Sequence, residues 1–168
     1  MNSAIIENWN KLVKPEDKVY HLGDVVMSKK KGDLILPRLN GKKVLIKGNH
    51  DLEKASWYLD YFKDIRACHN FHIHGDKYNF LLTHMPVHPD SKARFIRNIH
   101  GHIHGNAITK KIYFNTEHDP ITTLDHWYRN VCVDYKPNNY SPVPYDLIVE
   151  ETVKLVDSGI LRDPSIKE

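Results

Sequence analysis

The stretch Asn98-Ile99-His100-Gly101-His102-Ile103-His104-Gly105 decides how this chain is read. A short β-prone run over residues 97–100 meets a glycine and then two histidines one residue apart. In extended backbone, positions i and i+2 share a side, so the pattern presents the imidazoles of His102 and His104 together. Working outward, three other runs end in the same manner. Residues 19–22 lead into Gly23-Asp24, Val44-Leu45-Ile46 leads into Gly48-Asn49-His50-Asp51, and Phe80-Leu81-Leu82 leads into Thr83-His84. Glycines ahead of Asp24, Asn49 and His102 allow tight turns that aim side chains from separate strands into one cleft. The candidate ligands are therefore Asp24, Asn49, His84, His102 and His104. These are oxygen and nitrogen donors without a thiolate, a set suited to Mn2+, Fe2+, Zn2+, Co2+ or Ni2+.

The remaining composition narrows the setting. A chain of 168 residues with 40% hydrophobic and 27% charged residues can bury its own core, and one domain is expected over 1–168. Twelve histidines outnumber the eight glycines, an excess that draws attention to metal chemistry. A net charge of +3 is compatible with an anionic substrate but supplies no dedicated nucleic-acid surface. No apolar run has the length of a bilayer span and the first thirteen residues lack a basic leader, so no membrane role and a cytoplasmic location are expected. Cys68 and Cys132 are too few for a disulfide framework and are expected as reduced, buried thiols.

Apolar residues at helical spacing predict a helix over residues 3–13, closed by Pro15, with further helices around 52–62 and 145–156. A hairpin turning at Gly75-Asp76, a buried strand at Val131-Cys132-Val133 and a loose tail over 157–168 complete the pattern. Alternating strands and helices followed by hairpins predict an α/β sandwich. Lys29 to Lys31 read as a solvated loop, with an anionic substrate as their alternative partner, and Trp9, Trp57 and Trp127 as core or interface residues rather than base-stacking platforms. His72 and His74 would share a strand face on a surface hairpin; His21, His69, His118 and His126 have no informative spacing. His88 and His100 are near enough to ligands to line the cleft.

Together, Gly23-Asp24, Gly48-Asn49-His50-Asp51, Thr83-His84 and Gly101-His102-Ile103-His104 resemble, in order, the blocks of the calcineurin-like metallophosphoesterases, in particular the small bacterial and phage phosphohydrolases. The resemblance implies a sandwich of two mixed β-sheets flanked by helices. It implies that Asp24 bridges two metal ions, with Asn49, His84 and His102 on one and His104 on the other, and with Mn2+ as first choice over Fe, Zn, Co or Ni. Metal-activated water would attack phosphorus in line in a small phosphate ester or nucleotide-like substrate, which Asn49 and His50 would bind while His50, as the catalytic residue, stabilises the leaving oxygen.

The chain also departs from that pattern. The family opens with an Asp-x-His block on its first strand, whereas residues 1–23 hold only Asp17 and His21, four apart. The first strand is thus expected to be missing and the domain N-terminally incomplete, leaving one well-held ion. Met27 occupies a position where many members carry an aspartate that orients the histidine corresponding to His50, so Asp51 or a backbone group is expected to serve instead. Two other functions remain open. One is a catalytically impaired metallophosphoesterase-like binding scaffold; the other is a histidine-rich protein that holds a single metal without hydrolysis.

Overall fold

The computed structural model describes residues 2–73, 77–113 and 119–164. Helix α1 (Asn2–Leu12) is followed by strand β1 (Lys18–His21), helix α2 (Lys29–Ile35), β2 (Lys42–Ile46), helix α3 (Ala55–Leu59) and β3 (Asp64–Arg66). Strands β1, β2 and β3 form a parallel sheet in that order. Next come β4 (Cys68–Phe71), β5 (Phe80–Thr83), β6 (Arg97–His100), the hairpin β7 (Thr109–Ile112) and β8 (Ile121–Leu124), β9 (Tyr128–Asn130) and helix α4 (Tyr145–Asp157). The second sheet runs β4-β5-β6-β9, with β4 antiparallel and the rest parallel. The fold is a mixed α/β architecture; its first sheet is parallel among the described residues, and only the second is mixed.

The period of two along the strands divides the core. Leu45 faces the helices, where Ile6, Trp9 and Val13 from α1 and its exit pack with Leu36, Trp57, Tyr58 and Phe62. Leu22 and Ile46 face the other way and join Phe80, Leu82 and Ile99 of the second sheet and Ile148 of α4. One cluster thus locks helices onto the first sheet while the other draws on both sheets. Leu45 and Ile46 are wholly buried, each contributing roughly 1.5–3 kcal/mol by the usual transfer scale. All three tryptophans are buried, as expected of core residues.

Several sequence expectations shift. Lys29 to Lys31 open α2 rather than forming a loop: Ser28 caps the helix by accepting the Lys31 N–H, and Lys29 pairs with Asp33 at 2.9 Å. The helix expected over 52–62 is only α3, because Lys54 is extended (φ −63°, ψ 145°) and helical backbone begins only after it. The strand expected at residues 131–133 ends at Asn130, since the Asn138 amide donates to Asn130 O and Cys132 O in place of a ladder partner. The tail is not loose through residue 163. Leu161 and Asp163 are buried, and Lys77 reaches Asp163 at 3.0 Å. Cys132 is half-buried, but Cys68 lies exposed on β4, whose side chains alternate between exposed and half-buried positions. The pairing of β4 with β5 forms the expected hairpin, although its turn at Gly75-Asp76 lies outside the described residues, as do His74 and His118.

Two buried arginines brace the second sheet against α4. Arg129 grips Glu151 through Nε at 2.8 Å and Nη2 at 3.0 Å, and Arg97 approaches the same carboxylate at 3.4 Å. Burial pulls the Arg97 guanidinium down to about 10.

Candidate metal centre

The two glycine turns at the ends of β1 and β2 interlock. Gly23 has φ +88°, and a Cβ there would come within 2.6 Å of Gly48 N. A Cβ on Gly48 would collide with the Asp24 carboxylate and lie 2.8 Å from His84 Cε1. Only residues without side chains permit this approach. Asp51 then fastens the turns. Its buried carboxylate accepts the N–H groups of Asp24 at 2.9 Å, Val25 at 2.9 Å and Gly48 at 2.7 Å. Asp51 is therefore committed to the backbone of the site. Met27 is 81% exposed and takes no part.

His84 leaves the end of β5 5% exposed, and its ring is held from behind. Nδ1 lies 2.6 Å from the carbonyl oxygen of Leu22, which can only accept, so Nδ1 carries the proton. In the neutral ring Nε2 is then a bare lone pair. Around it stand Asn49 Oδ1 at 2.8 Å, His102 Nδ1 at 3.1 Å and Asp24 Oδ2 at 3.3 Å. The other Asp24 oxygen accepts the His50 N–H at 2.9 Å, so one carboxylate oxygen holds the turn while the other faces the cluster.

That set tests directly whether a metal fits. In the neutral His84 ring the Asp24 and Asn49 oxygens face the Nε2 lone pair, and a proton on His102 Nδ1 would satisfy only its own contact, so the set holds more lone pairs than protons and is unfavourable without a cation between them. A proton on Nε2 would satisfy one contact at a time, whereas a divalent ion satisfies all four donors together. The donor atoms of Asp24, His84 and His102 lie within 4.8 Å of one another. The nitrogen and oxygen set fits a borderline divalent ion. Asp24 (φ 53°) and His102 (φ 68°) both occupy the left-handed region, strain of the kind concentrated at functional sites.

Four of the five expected ligands are thus brought together: Asp24, Asn49, His84 and His102. His104 is not. Its ring is 76% exposed, with Nδ1 2.8 Å from Asp134 Oδ2. His50 is exposed beside the cluster. His88 is exposed and accepts the Asp90 N–H within its own turn, and His100 is buried with Nδ1 2.9 Å from Gly101 O. His72 falls just past β4 with Nδ1 3.4 Å from Tyr78 O, and His69 takes an N–H from Arg66 at 2.7 Å.

Sequence reasoning passed over three contributors. Asn130 donates to His104 O at 2.7 Å and Asn106 O at 2.9 Å, clamping the histidine loop. Asp134 follows a β-prone run just as the other donors do, a signal that was open to reading. His21 sits beneath the turns, its ring edge-on to Phe62 and its Nδ1 buried without a hydrogen-bond partner among the described residues. Burial is the first cause lowering the His21 pKa, opposed by the nearby charges of Asp51 and Asp24.

No family model matches the chain. It is 35% identical over 165 residues to the uncharacterized protein MJ1445 of Methanocaldococcus jannaschii, an alignment covering 95% of this chain and 77% of that protein. A solved structure similar to it is that of the protein of unknown function AQ665 from Aquifex aeolicus, with a TM-score of 0.62, 25% identity and coverage of 89% of this chain and 84% of that one.

Proposed function

The chain belongs to the family of the Methanocaldococcus jannaschii protein MJ1445, and from its converging donors we propose that it is a metal-dependent phosphoric ester hydrolase of the metallophosphoesterase type. The observation that carries this reading is the approach of Asp24 Oδ2, Asn49 Oδ1 and His102 Nδ1 to Nε2 of His84, whose Nδ1 is held on Leu22 O. On this reading the two sheets and their helices form the metallophosphoesterase sandwich, Mn2+ is the first-choice ion, and the substrate is a small phosphate ester or nucleotide-like molecule.

Asp24, Asn49, His84 and His102 would hold a divalent ion, which when bound would acidify water and neutralise charge on phosphoryl oxygens. The chain's own groups supply the rest. Leu22 O fixes the His84 tautomer, as outer hydrogen bonds do for ligating histidines. Asp51 holds both turns so that Asp24 and Asn49 need no reorganisation. Asp24 ties down the His50 backbone, and the exposed His50 imidazole donates to the leaving oxygen.

Metal analysis combined with hydrolysis of bis(p-nitrophenyl) phosphate and p-nitrophenyl phosphate tests the proposal. Wild type is expected to retain a divalent metal and turn over at least one ester, while His50→Ala keeps the metal and loses roughly 10²–10⁴-fold in kcat. Metal-loaded protein inert toward both esters would contradict the hydrolase reading. Loss of metal in His50→Ala would make His50 a ligand instead.

A further inference from the structure

His104 stands apart from the four donors, yet its orientation is well defined. Its backbone is left-handed, with φ 51°, and its carbonyl is held by the buried Asn130 amide. Asn130 Oδ1 accepts the Cys132 N–H at 2.9 Å, so one side chain ties the histidine loop to the segment that ends at Asp134. Cys132 borders both regions. Burial and then the charges of Asp134 and Asp24 hold its thiol proton in place, while the His104 main chain opposes them.

A carboxylate can only accept, so the 2.8 Å contact from His104 Nδ1 to Asp134 places the imidazole proton on Nδ1. The neutral ring then offers Nε2 as a lone pair on the side away from Asp134. Stability does not explain the arrangement, because ion pairs with side chains 76% and 40% exposed contribute little. Carboxylate-held imidazoles are, in contrast, the usual form of a metal-ligating histidine. We propose that Asp134 is a positioning residue that makes His104 a metal donor by fixing its tautomer and ring orientation. The inference rests on the metal-centre reading above.

Two measurements test it on the full chain. Long-range 1H–15N spectra of chelator-treated protein at pH 8, with the signal assigned by His104→Ala, report the tautomer. Wild type is expected to show Nδ1–H, Asp134→Ala to shift toward Nε2–H, and Asp134→Glu to restore the wild-type form. Calorimetric titration with Mn2+ should then show affinity at the His104-dependent step reduced roughly 10–100-fold in Asp134→Ala, with the His84-dependent step unchanged and Asp134→Glu recovering most of the loss. Identical tautomers, or identical isotherms, in wild type and Asp134→Ala would overturn the role of Asp134 while leaving the four-donor centre intact. Absence of Mn2+ uptake by wild type would overturn the metal-centre reading and the donor role of His104 with it.

Discussion

At the start of β6, Arg97 shares Glu151 with Arg129; just past its end, His102 meets His84, Asn49 and Asp24. Both are polar convergences on the second sheet, but they are completed differently. In the arginine cluster every close contact joins a donor to an acceptor, and Arg129 makes further bonds to Asn130 O at 2.7 Å and Asn138 Oδ1 at 3.0 Å. The chain satisfies it unaided. In the histidine cluster lone pairs outnumber protons: with the one N–H of neutral His84 bonded to Leu22 O, the Asp24 and Asn49 oxygens face Nε2 with no proton between them. The difference teaches how to separate a polar group that holds a fold from one that awaits a ligand: the first balances internally, and the second balances only when something is added.

Substitutions should separate the two regions. The largest effect is expected at the unbalanced one. Asp24→Ala or His84→Ala should weaken divalent metal binding by more than about 100-fold, since each removes a direct donor. Equilibrium dialysis followed by elemental analysis measures this, and wild-type metal content in either variant would erase the contrast.

Glu151→Ala should do the reverse. It strands two buried guanidiniums without a counter-charge, for an expected loss of about 3 kcal/mol in a urea titration, while the protein that remains folded binds metal as wild type does. A stability loss confined to a few tenths of a kcal/mol would mean that the arginine cluster is relaxed by solvent and does not brace α4.

The smallest effect concerns acid. Burial lowers the pKa values of His21 and His100 from 6.5, so near pH 6 the folded state binds fewer protons than the unfolded state. Their contribution is therefore present above pH 6.5 and lost as pH falls through the folded-state values. The urea midpoint of chelator-treated protein should drop between pH 7.5 and 5.5, and His100→Gln should flatten that drop. An unchanged slope in the variant would remove His100 from the account.

The legible parts of the molecule were those with short-range causes. A strand ending in a polar residue at a turn announces itself locally, and four such ends, three of them with a glycine, marked Asp24, Asn49, His84 and His102. The period of Ile6, Trp9 and Val13 likewise marked α1, and Tyr145 onward marked α4. What escaped was decided across distance. Asp51 acts on backbone 26 and 27 residues earlier, and no local pattern separates that from its neighbourhood with His50. Asp134 meets His104 across 30 residues. Lys29 to Lys31 look like a solvated loop until Asp33 is seen accepting from Trp57 Nε1 at 2.7 Å and Tyr61 OH at 2.8 Å, which docks α2 onto the chain around α3. The tail was misread for the same reason, since Leu161 and Asp163 are held by tertiary contacts and not by helical periodicity.

The claim that four converging donors hold a divalent cation is tested most directly by titrating chelator-treated protein with Co2+ and recording visible absorption. The account predicts an intense d–d band that saturates as the His84-dependent site fills, at about one ion for that site, and that is absent from His84→Ala. A wild-type spectrum no different from that of aqueous Co2+ at saturating protein would contradict it.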